Sequence, residues 1–267
     1  MGNVMKHFVI EASGAGRHAL DPVLFRRLKI NALAILAVLF GLALGAYYIA
    51  APHLALTEEA IIPAAFLLLV IFSLVLRGLP NHPHQRFGVA NVVTSFRAVI
   101  VCLVAATVFC ARDLSDASSP LWLLVGLVGF ALLLDGVDGY LARTLNLVSE
   151  LGARFDMEVD ALLLLVLSIA VYMLDKAGVW VIAIGMMRYC FVFAQIFFPS
   201  LKQDLSASFR RKLVCVIQGG VLCFCLMPVV SPHLSGSLAF MALALLSYSF
   251  GVDTLHLLRK DEMERVR

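Results

Sequence analysis

Apolar positions in this chain gather into long runs separated by short polar connections, and the pattern is helical and membranous throughout. Stretches near 30–50, 60–78, 91–111, 120–143, 155–174, 178–198, 210–229 and 236–257 each approach the ~20 residues that a helix needs to cross a bilayer. Pro80, Pro120, Pro199 and Pro232 stand near the ends of these stretches, where a helix can stop or start. The expected fold is therefore all-α, a polytopic membrane protein with about eight transmembrane helices, no soluble domain and no internal repeat. Three of the stretches are unusual. Their purely apolar parts, 98–110, 121–134 and 161–174, are too short to span, and they reach full length only if the polar segments 91–97, 135–143 and 155–160 are counted as helix. Polar groups at that depth are tolerated inside protein or beside water, so three helices are expected to bring their polar ends together around a cavity.

Lysine and arginine fix the expected orientation. Arg26, Arg27 and Lys29, then Arg77 and Arg86, Arg143 and Arg154, Lys202 and Arg210 to Lys212, and finally Arg259 and Lys260 all fall on one side of the eight-span scheme. Arg112 and Lys176 fall on the other. The basic side is cytoplasmic by the positive-inside rule, which places both termini and all three polar helix ends at the cytoplasmic face. Composition agrees with a membrane protein: 61% of residues are apolar and 15% charged, against about 45–50% and 25% in soluble domains. The net charge of +3 gives no global support for a nucleic-acid partner. The six cysteines lie in apolar runs without metal-ligand spacing, which favours packing roles. The first 22 residues lack the short apolar core of a cleaved signal peptide.

The polar ends hold the chemistry. Asp135, Asp138, Gly139 and Ala142 share one helix face at ~100° per residue, and Gly152, Asp156 and Asp160 share a face of the following helix. The connection between them is short, so the two helices should be antiparallel neighbours with their acidic faces opposed. Four carboxylates cannot all stay ionised there without compensation. An oxygen-only donor set favours Mg²⁺, Mn²⁺ or Ca²⁺ over zinc, and four carboxylates can hold two ions, an arrangement common in displacement at phosphorus. The small Gly139 and Ala142 allow a ligand close to the helix, and Arg143, one step around, can meet a phosphate. An ion or proton pathway would also place aspartate in a membrane. It would not explain the adjoining glycines and arginine.

The order D-x-x-D-G-x-x-A-R, eight residues, G-x-x-x-D-x-x-x-D resembles the signature of the CDP-alcohol phosphotransferases. Asp135, Asp138, Gly139, Ala142, Arg143, Gly152, Asp156 and Asp160 fill every fixed position. Asn91-x-x-Thr94-x-x-Arg97 is similar to the short polar motif that opens the family's core. The resemblance implies a division into a cytoplasmic segment (1–29), two added helices (30–80), a six-helix catalytic core (81–258) and a cytoplasmic tail (259–267). It also implies a two-metal Mg²⁺ or Mn²⁺ site on Asp135, Asp138, Asp156 and Asp160, with Asp160 doubling as general base. Asn91, Thr94, Arg97, Gly139, Ala142, Arg143, Ser149 and Gly152 would then surround the cytidine nucleotide.

By the same resemblance, the partners would be a CDP-linked lipid donor and a small alcohol acceptor, with CMP released among the membrane lipids. A homodimer is compatible with it, although the sequence shows no interface. Arg188, inside an apolar span, and Arg210, Arg211 and Lys212 are candidates for an acceptor pocket. They favour a phosphorylated acceptor, glycerol phosphate or inositol phosphate, over serine. Transfer from CDP-choline or CDP-ethanolamine to diacylglycerol is the other course open to the family, and solute transport is the alternative outside it.

Overall fold

The computed structural model describes residues 22–81, 87–111, 118–144, 149–197 and 209–265. These residues form eight α-helices: α1 (Pro22–Ala50), α2 (Ile61–Gly78), α3 (Val89–Cys110), α4 (Ser118–Thr144), α5 (Glu150–Met173), α6 (Ile182–Phe197), α7 (Phe209–Cys225) and α8 (Pro232–Arg265). The eight apolar stretches of the sequence map onto them in order. Among the described residues the only extended pairing is a single antiparallel bridge, Leu56 to Ala111.

Local signals set several boundaries. Pro22 and Pro232 open α1 and α8, where a missing N–H costs nothing and the ring pre-sets φ. Gly88 precedes α3 at φ 83°, a left-handed conformation that glycine adopts without strain. Beyond α5, Asp175 turns the chain at φ 53°. Lys176 then donates to the main-chain carbonyls of Met227 (3.4 Å) and Val230 (2.5 Å) just past α7. That contact puts the C-terminal ends of α5 and α7 at the same side of the bundle.

The centre of the bundle is α3. Of its most apolar stretch 78% is buried, against 22–28% in the four other strongly apolar helices, so α3 is surrounded by protein where the others present a face outward. It packs against α1, α2, α4 and α5. Further contacts close the far side. Gly185 of α6 lies against the backbone of Leu165 on α5, an approach a side chain would block. The Gln218 amide of α7 donates to Ala242 O of α8 at 2.8 Å. The outward apolar residues, including Phe66, Leu133, Phe193, Phe240 and Met241, are largely exposed and suit a lipid environment.

Among the described residues, five helical segments are long and apolar enough to cross a membrane: Val23–Leu54, Glu58–Gly78, Val89–Cys110, Ser119–Val137 and Pro232–Leu255. The other three of the eight expected spans fall short for identifiable reasons. In α5 the first half carries Asp156, Glu158 and Asp160. Helices α6 and α7 have 16 and 17 residues, about 25 Å of helix each, and α7 opens on three basic residues. The result is a polytopic all-α membrane protein in which polar helix ends and short helices occur together.

Candidate metal and nucleotide site

Arg97 sits on the buried central helix with none of its side chain exposed. Its Nη1 donates to Asp135 Oδ1 of α4 at 2.8 Å, and its Nη2 donates to Asp156 Oδ1 (2.6 Å) and Asp160 Oδ1 (2.8 Å) of α5. Nη2 also lies 3.3 Å from the main-chain oxygen of Asp156. One guanidinium thus gathers three carboxylates from two helices. Each carboxylate keeps some exposure, 29%, 36% and 23% of the side chain respectively, so the cluster is held from within and open from without.

Asp135, Asp156 and Asp160 can each offer an oxygen within 4.8 Å of the others. That spacing and an all-oxygen donor set fit a hard divalent cation. Asp138, Gly139, Ala142 and Arg143 continue α4 beyond Asp135, with Asp138 one turn on; their side chains lie outside the described residues.

A second group of polar residues adjoins the aspartates. Ser149 caps α5, its hydroxyl accepting from the Gly152 N–H at 3.0 Å, as an N-cap serine does. Asn91 of α3 donates through Nδ2 to Phe87 O. Its Oδ1 lies so close to Gly152 that a Cβ there would come within 2.6 Å of it, and within 2.9 Å of Ser149 Oγ. The absence of a side chain at 152 is what lets α3 and α5 meet. Thr94, buried one turn along α3, donates to Ala90 O at 3.1 Å. The structure therefore brings together Asn91, Ser149 and Gly152, on the same helices that carry Arg97, Asp156 and Asp160.

The remaining basic candidates separate. Arg188 of α6 is ion-paired with Glu158. Glu158 lies about 200° around α5 from Asp156, so this contact does not bring Arg188 to the aspartate face. The hydrophobic span around Arg188 hid that partner, because Glu158 belongs to a different helix. Arg210 pairs with Asp253 of α8 and donates to Ser249 O at 3.2 Å, and Arg211 reaches Asp253 at 3.7 Å. Lys212 has a different setting: exposed, it lies within electrostatic reach of Asp156. Cys215, one turn along α7, is within reach of Asp135, Asp156 and Asp160. Sequence reasoning took Cys215 for packing; its i, i+3 relation to Lys212 was the available signal.

Arg97 differs most from expectation. The opening motif assigned it to the nucleotide, whereas here it is wholly buried among the carboxylates. An arginine so placed needs partners of opposite charge, and α4 and α5 supply them.

No curated protein and no solved structure matches the chain. The family model for CDP-alcohol phosphatidyltransferase matches residues 87–250, from the turn before α3 into α8, leaving α1 and α2 outside. Family members use a divalent metal, in keeping with the clustered aspartates. With more than half of its length matched, and the aspartates gathered as that chemistry requires, the chain belongs to the CDP-alcohol phosphatidyltransferase family.

Proposed function

We propose that the protein transfers a phosphatidyl group from CDP-diacylglycerol to a small phosphorylated alcohol, glycerol phosphate or inositol phosphate, at the cytoplasmic membrane face. The observation that carries the reading is the convergence of Asp135, Asp156 and Asp160 on one point between α3, α4 and α5, inside the region the family model covers. Asp135, Asp138, Asp156 and Asp160 would hold two Mg²⁺ or Mn²⁺ ions. Such ions, when bound, would supply positive charge for the donor diphosphate and for the CMP leaving group.

The protein's own groups do the rest. Asn91, Thr94, Ser149 and Gly152, with Gly139, Ala142 and Arg143 on α4, receive the cytidine nucleotide. Asp160 takes the proton from the acceptor hydroxyl. The hydroxyl oxygen forms a bond to the lipid-bearing phosphorus as the bond from that phosphorus to CMP breaks, and CMP leaves with the electron pair. Lys212 supplies positive charge for the acceptor phosphate; its nearness to Asp156 supports that role. Arg210 and Arg211, engaged by Asp253, fix the start of α7, and Arg188, engaged by Glu158, stays outside the site.

The test is CMP release by purified protein from CDP-diacylglycerol with glycerol phosphate, inositol phosphate, serine or no acceptor. CMP release and a new phospholipid are expected with a phosphorylated acceptor. Product only with serine, or only from CDP-choline and diacylglycerol, would move the chain to another branch of the family. Solute flux in proteoliposomes without CMP release would overturn the enzymatic reading.

A further inference from the structure

Resting on that reading of the site, we propose that Arg97 is an internal counter-cation: it holds the aspartates assembled in the metal-free protein and must yield at least one of them when a metal ion enters. Three observations converge. First, the guanidinium is fully buried while each aspartate remains partly exposed, so an ion arriving from outside meets carboxylates already bound from behind. Second, Arg97 uses two nitrogens on three separate carboxylates at 2.6–2.8 Å. Each engaged oxygen belongs to a carboxylate that an ion would share, so the ion would face the guanidinium charge across the same groups. Third, the guanidinium, even with the exposed Lys212 in reach of Asp156, carries less positive charge than three carboxylates carry negative, so the cluster keeps a net attraction for further cations.

Arginine suits this task because it does not deprotonate in proteins and its planar fork reaches several oxygens at once. Lysine would carry the charge on a single point. Without a buried cation, like charges on α4 and α5 would repel, and the polar ends of the two helices would separate or bind protons. With Arg97 present, the cost of assembling the site is met before any metal arrives. Metal affinity is correspondingly lowered, because each ion competes with a cation already in place. Arg97 is thus a positioning residue, acting through the aspartates and not on the substrate.

The competition gives a signature that structural damage alone does not produce: removing Arg97 should tighten metal binding. The full chain is purified in detergent, stripped with chelator and titrated with Mn²⁺ by calorimetry, alongside thermal melts with and without Mn²⁺. In Arg97→Gln, which keeps an amide donor but no charge, Mn²⁺ is expected to bind at least about tenfold more tightly. The metal-free melting temperature should fall, and added Mn²⁺ should raise it by more than it does in the wild type. Arg97→Lys, which keeps the charge and the stability of the metal-free fold better, should bind Mn²⁺ no more tightly than the wild type.

Unchanged or weaker Mn²⁺ binding in Arg97→Gln, with the wild type binding normally, would overturn the counter-cation role and leave the proposed function standing. Should Arg97→Gln fail to fold even with Mn²⁺, Arg97→Lys decides, because tightened binding there contradicts the proposal and retained or weakened binding upholds it. A wild type that binds no Mn²⁺ and releases CMP in the presence of chelator would overturn the metal site itself.

Discussion

The phenolic hydroxyl of Tyr47 donates a 2.6 Å hydrogen bond to the main-chain carbonyl of Val99, joining α1 to α3 two residues beyond Arg97. A second tie joins α1 to the turn that leads into α3: the Phe87 N–H donates to Asn31 Oδ1 at 3.3 Å. Helix α1 lies outside the family match, yet it contacts the helix that carries Arg97. Tyr47→Phe should remove a bond worth about 0.6–2 kcal/mol in a membrane, lowering thermal stability. Phosphatidyl transfer at 25 °C should change less than twofold. A melt of the purified variant beside its kcat checks both.

Gly152 should not tolerate a methyl group. Its Cβ would fall 2.6 Å from Asn91 Oδ1 and 2.9 Å from Ser149 Oγ, and Asn91 is already tied to Phe87 O. We expect Gly152→Ala to raise the KM for the CDP donor roughly tenfold, about 1.4 kcal/mol of lost binding. The acceptor KM should hold. An equal rise in both would place Gly152 in the fold instead of the nucleotide site.

Asp160→Asn should cut the single-turnover rate by roughly 10²–10⁴-fold, the scale of a lost general base, while donor binding persists. Asp135→Asn should instead weaken donor binding, since the diphosphate is held through metal. Calorimetric donor affinities for both variants separate these roles; matching losses would make Asp160 chiefly a ligand.

Lys212→Ala should raise the KM for a phosphorylated acceptor at least fivefold, whereas Arg188→Ala should leave it unchanged. The contrast follows from their neighbours, Asp156 for Lys212 and Glu158 for Arg188. As a partly exposed pair, Arg188 and Glu158 should contribute no more than about 1 kcal/mol to stability. Acceptor saturation curves for the two variants are the measurement.

Much of this architecture could be read before the fold was known, for physical reasons. Span order followed from apolar run length. Asp135, Asp156 and Asp160 could be placed together because helical period and a short connection fix which faces meet. What the sequence withheld were partners distant along the chain. Arg97 and Asp156 are separated by 59 positions, and Arg210 and Asp253 by 43. No periodicity couples such residues; only the packing of α3 on α5 and of α7 on α8 does so. The basic run 210–212 read as one cluster for the same reason, although adjacent helical residues point about 100° apart and Lys212 lies near Asp156 while the two arginines share Asp253.

Helix α8 has 34 residues, about 50 Å of helix, while the hydrocarbon of a bilayer is only ~30 Å deep. Measured from Pro232, about 30 Å is used up near Asp253, the residue that Arg210 and Arg211 grip. With Pro232 taken as the far edge of the hydrocarbon, that ion-paired corner would fall at the waterline, and the remaining turns to Arg265 would stand clear of the oil. Lys212 is the next residue along α7 from Arg211, and Asp156 is within its electrostatic reach. On that placement the acidic cluster would lie close beneath the headgroups, at the level where the diphosphate of a lipid floats. A lipid-borne substrate could be met there without its acyl chains leaving the leaflet, and its water-soluble partner could arrive without entering the hydrocarbon.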